Sequence, residues 1–496
     1  MGRKNQLSRR ASLKNMGALG AAAFLGAQPA GGAPLSASAA AQEATVSDVW
    51  RQIADRVWST TLVDTHEHLF EESMRLAPKT MPFIQCDDWT QLVAGYLYSD
   101  LVSAGMPVPR EPLLSKPDLF AAGTDPVKKW ALIEPFWPSV RNTGYGLAVR
   151  LSLKELYGVD DLSAKTIKKV QDGYTKTVKP GFYKRILCDV ARIESCQVNS
   201  FAGPFNESAQ PALLMQDMNV AGMVIRGGFL GMNVWTAEDY RKPTGIEVKS
   251  LSDWHKVIDW WFGKYARYAV AAKSQHTYLR GLDHAQVPAE KVEGAFKKQL
   301  ENQTLPSDEQ KALEDHLFWY VVQKSTENDL PVKLHTGYLA GENVMPLSRL
   351  INNPSSACDI CRSAPDTKFV FMHICYPYYE ELISVAKQYS NAYLDMCWAW
   401  IVNPIAAKDF LKKYLVTVPA NKVLTFGADY VAVENVVGHA IMARQGITQA
   451  LAELVEEGWL GLDDAMELIE PIMHGNARRL FNLKEKQKLL ERAPWV

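Results

Sequence analysis

The chain has 496 residues, 47% of them hydrophobic and 22% charged, and its 54 Lys and Arg against 55 Asp and Glu leave a formal net charge of -1. This composition excludes a disordered or collagen-like chain, and it lacks the basic excess that neutralising nucleic-acid phosphates requires. Seven cysteines, an odd number, are scattered through a chain long enough to bury a core without staples, so no disulfide framework is expected.

The first forty residues differ from the rest. Arg3 and Lys4 are followed by Ser8-Arg9-Arg10-Ala11-Ser12-Leu13-Lys14, then a mildly apolar Ala/Gly/Leu stretch, then Ala37-Ser38-Ala39-Ala40-Ala41. The order resembles a twin-arginine export signal, with Ser12 standing where a large apolar residue is commoner. A signal peptide over 1–41 is therefore expected, with the mature chain exported to the periplasm by the twin-arginine machinery. The apolar stretch is too short and too rich in Gly and Ala for a stable membrane span.

Over 42–496, β-rich runs alternate with amphipathic stretches, the pattern of βα units. Eight strands are predicted: Leu62 to His66, Ser195 to Asn199, Gly222 to Arg226, Tyr278 to Asp283, Val332 to Thr336, Phe369 to His373, Ala392 to Met396 and Val423 to Ala428. Length alone suggests roughly three domains, but an α/β barrel absorbs insertions of this size in one unit. The long gap after the first strand reads as an insertion at about 70–190. It contains Ile133-Glu134-Pro135-Phe136-Trp137-Pro138 and a helix near Leu151 to Tyr157, and is expected to cap the barrel mouth. A second insertion, Val287 to Ser307, reads as a charged, solvated helix face. Cys358 and Cys361 have redox or zinc-knuckle spacing, but no second pair follows, so they read as a loop whose one redeeming possibility is an isolated disulfide. His474 reads as a packing residue in the segment that closes the barrel.

The first strand ends Val63-Asp64-Thr65-His66-Glu67-His68, and residues two apart on a strand share a face. His66 and His68 therefore point together and can supply half the coordination of a divalent ion. Three further residues close apolar strands: His335, His373 and Asp429. The C-terminal ends of strands are where α/β-barrel active sites are built. Arg226, before Gly227-Gly228, can hold a carboxylate bidentately or form a structural ion pair. Trp398 and Trp400 give the mouth an aromatic lining.

The order His-x-His, His, His, Asp on successive strands resembles the amidohydrolase superfamily of metal-dependent (β/α)8 barrels, over about Leu62 to Leu483. Val63 to Leu69, Lys333-Leu334-His335-Thr336-Gly337 and the long first insertion are similar to the branch holding uronate isomerases and aromatic-acid decarboxylases. Leu151 to Val159 resembles the uronate isomerase insertion. The barrel core also resembles the amidohydrolase-like domain fused to glutamine synthetase in some fungal and plant proteins. The resemblance implies an α/β, TIM-like hydrolase barrel with metal ligands His66, His68, His335 and Asp429, and with His373 close to the substrate. One divalent ion is expected, zinc first with manganese as the alternative. Binuclear relatives carry a carboxylated lysine on strand four, where this chain is read as Arg280-Gly281-Leu282-Asp283-His284. His284 is a spare, read as a loop residue, and Lys333 as a deeper barrel residue or a substrate contact.

A bound divalent ion acidifies water, Asp429 can take its proton as general base, and His373 can polarise the reacting group. The leading expectation is an exported hydrolase attacking a carbonyl-type bond in a small molecule, with Arg226, Lys333 and Trp398 as substrate contacts. An alternative keeps the site for decarboxylation or uronate-isomerase-like chemistry on a carboxylate. A second is a non-catalytic binding protein on the barrel scaffold. Oligomerisation is open.

Overall fold

The computed structural model describes residues 48–77, 88–107, 118–120, 123–201, 203–225, 236–341, 343 and 345–496. The leader, Cys86, Arg226 and Gly227-Gly228 lie outside the described residues.

Among the described residues nine short strands run parallel: β1 (Leu62–Glu67), β2 (Ile193–Val198), β3 (Leu214–Gln216), β4 (Met218–Asn219), β5 (Ala272–Ser274), β6 (Val332–Leu334), β7 (Phe369–Phe371), β8 (Ala392–Asp395) and β9 (Val423–Leu424). β1, β2 and β3 form one sheet, and β4 to β9 pair in chain order in another. β3 and β4 are a single stave interrupted at Asp217. Its first half pairs with β2 and its second with β5, bridged by Asp217 N to Val198 O at 2.9 Å and Val270 N to Gln216 O at 2.9 Å. The circle closes where the chain after β9 meets β1, through Thr65 N to Phe426 O at 3.0 Å, Asp429 N to His66 O at 2.9 Å and His68 N to Tyr430 O at 3.0 Å. Eight staves thus make a TIM-type α/β barrel, the class expected from the sequence.

Two staves were misplaced by the sequence reading. The third is not Gly222 to Arg226: Ala221–Val224 is a helical turn, and the stave is Leu214 to Asn219. The fourth is not Tyr278 to Asp283: His276–Tyr278 is a 3-10 turn, and the stave is Ala272–Ser274. Both true staves carry buried polar side chains, Gln216, Asp217, Asn219 and Lys273. They lack the β-branched, apolar text that marks a strand buried on both faces.

The barrel interior has three levels. Its floor is apolar: Val63, Met215, Val270, Val370 and Leu424 pack with Leu480 and Phe481 from the C-terminal segment. Above it lies a polar layer centred on Lys333, whose ammonium donates to Thr65 O at 2.7 Å, Gln197 Oε1 at 2.6 Å and both oxygens of Asp217 at 2.9 Å. A fully buried ion pair persists only when its remaining donors and acceptors are satisfied, as they are here. The histidines occupy the top.

Between β1 and β2 the chain forms helices Leu97–Ser103, Pro126–Ile133, Gly144–Tyr157 and Ile167–Thr177. The third begins at a Thr143 cap, whose hydroxyl accepts from Gly146 N, and stops at Gly158 in the left-handed region. It crosses the long helix Val433–Glu456 at Gly438, where a Cβ would sit 1.9 Å from Ala148 O. No helix among the described residues is long and apolar enough to cross a membrane.

Candidate metal centre

His66 and His68 leave β1 toward the barrel axis, and each Nε2 lies 3.3 Å from Asp429 Oδ1. The ligand atoms of these three residues all fall within 4.8 Å of one another, and the set could hold a metal ion. His68 Nδ1 is 2.8 Å from Asn199 O, so a proton there turns the Nε2 lone pair to the cluster. His66 Nδ1 is buried without a hydrogen-bond partner. Two imidazoles and a carboxylate are a donor set suited to zinc or another borderline divalent ion.

Burial dominates the electrostatics. It pulls His66 well below its ordinary pKa and His68 down to about 3, with the nearby Lys273 charge acting in the same direction. His335 and His373 are likewise held neutral, chiefly by burial. Neutral imidazoles keep the lone pairs a metal needs. Burial pushes Asp429 up to about 8, opposed by the charge of Lys273.

His335 and His373 stand side by side, with ring centroids 4.2 Å apart. His335 Nε2 is 2.9 Å from Tyr338 O, which leaves Nδ1 as its free nitrogen. His335 lies beside the three-residue cluster rather than within it. His373 Nδ1 is 3.1 Å from Cys397 O, and its Nε2 is buried and unpartnered. His373, Trp398 and Asp429 all have positive φ, of 62°, 64° and 62°. Such strain at non-glycine residues gathers where surrounding structure imposes a functional geometry.

Trp398 is the hub of an aromatic wall. Its ring lies 5.3 Å from His373, 4.8 Å from Tyr96, 5.6 Å from Tyr338 and 6.4 Å from Tyr145. Tyr96 and Tyr145 come from the insertion after β1, and the Tyr96 hydroxyl donates to Asp429 O at 2.6 Å. The insertion therefore reaches the site.

Lys333, expected as either a substrate contact or a deeper residue, is the latter: its three N–H groups are held in the polar layer below. His284 is outside the site, stacked 3.7 Å from Phe318 on the outer helix Ser307–Glu327. Cys358 and Cys361 lie on helix Asn353–Ser363 as free thiols, so the loop reading is corrected to a helix.

The sequence reading missed Lys273. Placing the fourth stave at Tyr278 to Asp283 hid it, and the inference of a single metal from a missing lysine on that stave loses its premise. Lys273 is fully buried on β5, in register with Lys333, and burial draws it down to about 8. Its charge acts on His66, His68, His335, His373 and Asp429 alike. The signal available was the Lys273-Ser274-Gln275 spacing, which places two inward residues on one face as His66 and His68 are placed.

Residues 269–483 match the family model described as Amidohydrolase, a span that contains His335, His373 and Asp429. The matched span runs from just before β5 to beyond β9 and agrees with the barrel. In addition, 231 residues are 27% identical to Protein fluG of Emericella nidulans, covering 44% of this chain and 26% of that protein. The chain thus spans about a quarter of that relative's length. Glucuronate isomerase from Caulobacter crescentus aligns with a TM-score of 0.72 at 17% identity, over 91% of this chain and 96% of that one. Uronate isomerase from Thermotoga maritima gives 0.70 at 14% identity, over 88% and 97%. At these identities the likeness is one of fold.

Proposed function

We propose that the protein is an exported, metal-dependent hydrolase acting on a carbonyl-type bond of a small molecule. The observation that carries this reading is the convergence of His66 Nε2 and His68 Nε2 on Asp429 Oδ1, at 3.3 Å each. In it, His66, His68 and Asp429 hold one divalent ion, zinc or alternatively manganese, with His335 completing the set. When bound, such an ion acidifies water and polarises a carbonyl. Asp429 takes up the proton released on attack at Oδ2, the oxygen on the His373 side at 3.9 Å from Nδ1. His373, whose Nδ1–H donates to Cys397 O, presents the Nε2 lone pair to the reacting group and accepts a proton there. The wall of Trp398, Tyr96 and Tyr145 orients the substrate and keeps bulk water out.

A second reading, decarboxylation or isomerisation of a carboxylate at the same residues, is favoured by one observation, the buried cation of Lys273 among the site histidines. The relatives of similar fold that act on uronates lend it a precedent, not an assignment.

Elemental analysis of mature protein purified without chelator, beside a His66→Ala/His68→Ala double variant, tests the centre. About one zinc or manganese per chain, lost in the variant, is expected; no metal in either sinks the proposal, and two per chain refutes the single ion. A screen of esters, lactones and amides against carboxylic acids then separates the readings, and a metal-loaded protein that turns over none favours a binding protein. Export through the twin-arginine route predicts periplasmic protein beginning near residue 42 and retention in the cytoplasm on replacing Arg9 and Arg10 by Lys.

A further inference from the structure

We propose that Asp64 and Glu67, sharing one proton, form the positioning pair that sets Asp429 against His66 and His68. The proposal rests on reading those three residues as the metal centre, and it accounts for how that centre is assembled from the first and last staves.

Where β1 meets the chain after β9, the parallel ladder is irregular at one point. Thr65 N donates to Phe426 O at 3.0 Å, so in register the Ala428 amide would donate to Thr65 O. That carbonyl accepts from Lys333 Nζ instead, at 2.7 Å. The Asp64 carboxyl takes its place: Oδ1 accepts from Ala428 N at 3.2 Å and from His66 N at 3.1 Å. Glu67 Oε2 accepts from Tyr430 N at 2.6 Å. The amides on both sides of Asp429 are thus held by carboxyl groups, and its own N–H donates to His66 O at 2.9 Å. Between these anchors Asp429 adopts a φ of 62°, a conformation that persists at a non-glycine residue where its neighbours impose it. The turn aims Oδ1 at both Nε2 atoms.

The two carboxyls also hold each other. Regular alternation would put residues three apart on opposite faces of β1, but the register shift between Asp64 and Glu67 brings them to one side. Both are fully buried, and a side-chain hydrogen bond joins them. Asp64 Oδ2 and Glu67 Oε1 receive no other donor among the described residues, which leaves these two oxygens to each other. Two carboxylates cannot form such a bond without a proton, so the pair is one carboxylic acid and one carboxylate. It reaches the metal ligands through main-chain amides and so acts by position.

Either residue can be replaced by its amide without losing a bond, because the amide offers an oxygen and an N–H where the acid offers an oxygen and an O–H. Both together cannot, because a donor then meets a donor whichever way either amide is turned. Zinc affinity, read by competition with a chromophoric chelator, and the visible absorption of the cobalt(II)-loaded protein are the readouts. They are taken on wild type, Asp64→Asn, Glu67→Gln and the double variant, with urea titrations to show that each is folded. The single variants are expected to match wild type in both readouts, and the double variant to lose about ten- to a hundredfold in zinc affinity with a shifted cobalt spectrum. A double variant that keeps both overturns the proposal. So does a folded single variant that loses zinc, since the carboxylate charge rather than the shared proton would then be required. If the double variant does not fold, Glu67→Met, which takes away the acceptor of Tyr430 N and the partner of Asp64, replaces it: the same loss is expected, and affinity kept there overturns the pair. Zinc that fails to bind wild type refutes the metal centre itself, whereas zinc bound alike by wild type and every variant refutes only the positioning pair.

Discussion

Asp429 turns one oxygen to His66 and His68 and the other to His373, so a single carboxylate joins the candidate metal ligands to the imidazole proposed for proton transfer. Asp429→Asn keeps the shape and one ligand oxygen but removes the base. Turnover is expected to fall by about two to four orders of magnitude with metal retained, and undiminished turnover would remove Asp429 from proton transfer. Its raised pKa of about 8 also sets the pH dependence of loading. In metal-free protein at pH 7 the carboxyl is mostly protonated, while the imidazoles are already neutral. Zinc binding should therefore release about one proton at pH 7 and tighten about tenfold per pH unit until about pH 8, then level off. Calorimetry in buffers of different ionisation enthalpy reads that proton, and release of none would mean that Asp429 is already ionised. One layer down, Lys333→Met leaves Asp217 buried without its cation and is expected to destabilise the fold by about 3–5 kcal/mol in urea titrations.

The elements were legible where an apolar run ends in a candidate site residue. β1, β6, β7 and the β9 stave announce themselves because aliphatic and aromatic residues lead into His66, His335, His373 and Asp429, and the positions of the histidines along them gave the site. The third and fourth staves were not, because their buried residues Gln216, Asp217, Asn219 and Lys273 are polar and break the apolar run. Asp217 needs Lys333 from another stave, and no local pattern shows a partner 116 residues away. Lys273 was lost because its stave is only three residues long, Ala272–Ser274, too short to show an alternation. Helix packing carries its own test at Gly438, where Val433–Glu456 and the insertion helix Gly144–Tyr157 touch backbone to backbone. Gly438→Ala forces the helices apart and is expected to destabilise by about 1–3 kcal/mol. Because Tyr145 rides on the displaced helix and faces Trp398, substrate affinity should weaken with it, and a variant as stable and as tight-binding as wild type would show that the crossing yields freely.

At the scale of the whole molecule, the candidate metal centre ties the first stave to the last, so metal binding there would be linked to global stability. Stripping the ion with a chelator should lower the melting temperature, and zinc held at about a hundred times its dissociation constant should restore about 2.7 kcal/mol. The His66→Ala/His68→Ala protein should melt at one temperature with or without zinc; a zinc response there would place the stabilising ion elsewhere.

The seam between β1 and the chain after β9 has a consequence for the order of synthesis. Glu67 and the Tyr430 amide that it holds are 363 residues apart, and the histidines on one side of this seam leave the ribosome long before the aspartate on the other. A nascent or truncated chain thus has two imidazoles and no carboxylate, and holds a metal weakly. Tight loading becomes a certificate that the ring has been completed, issued only to finished molecules.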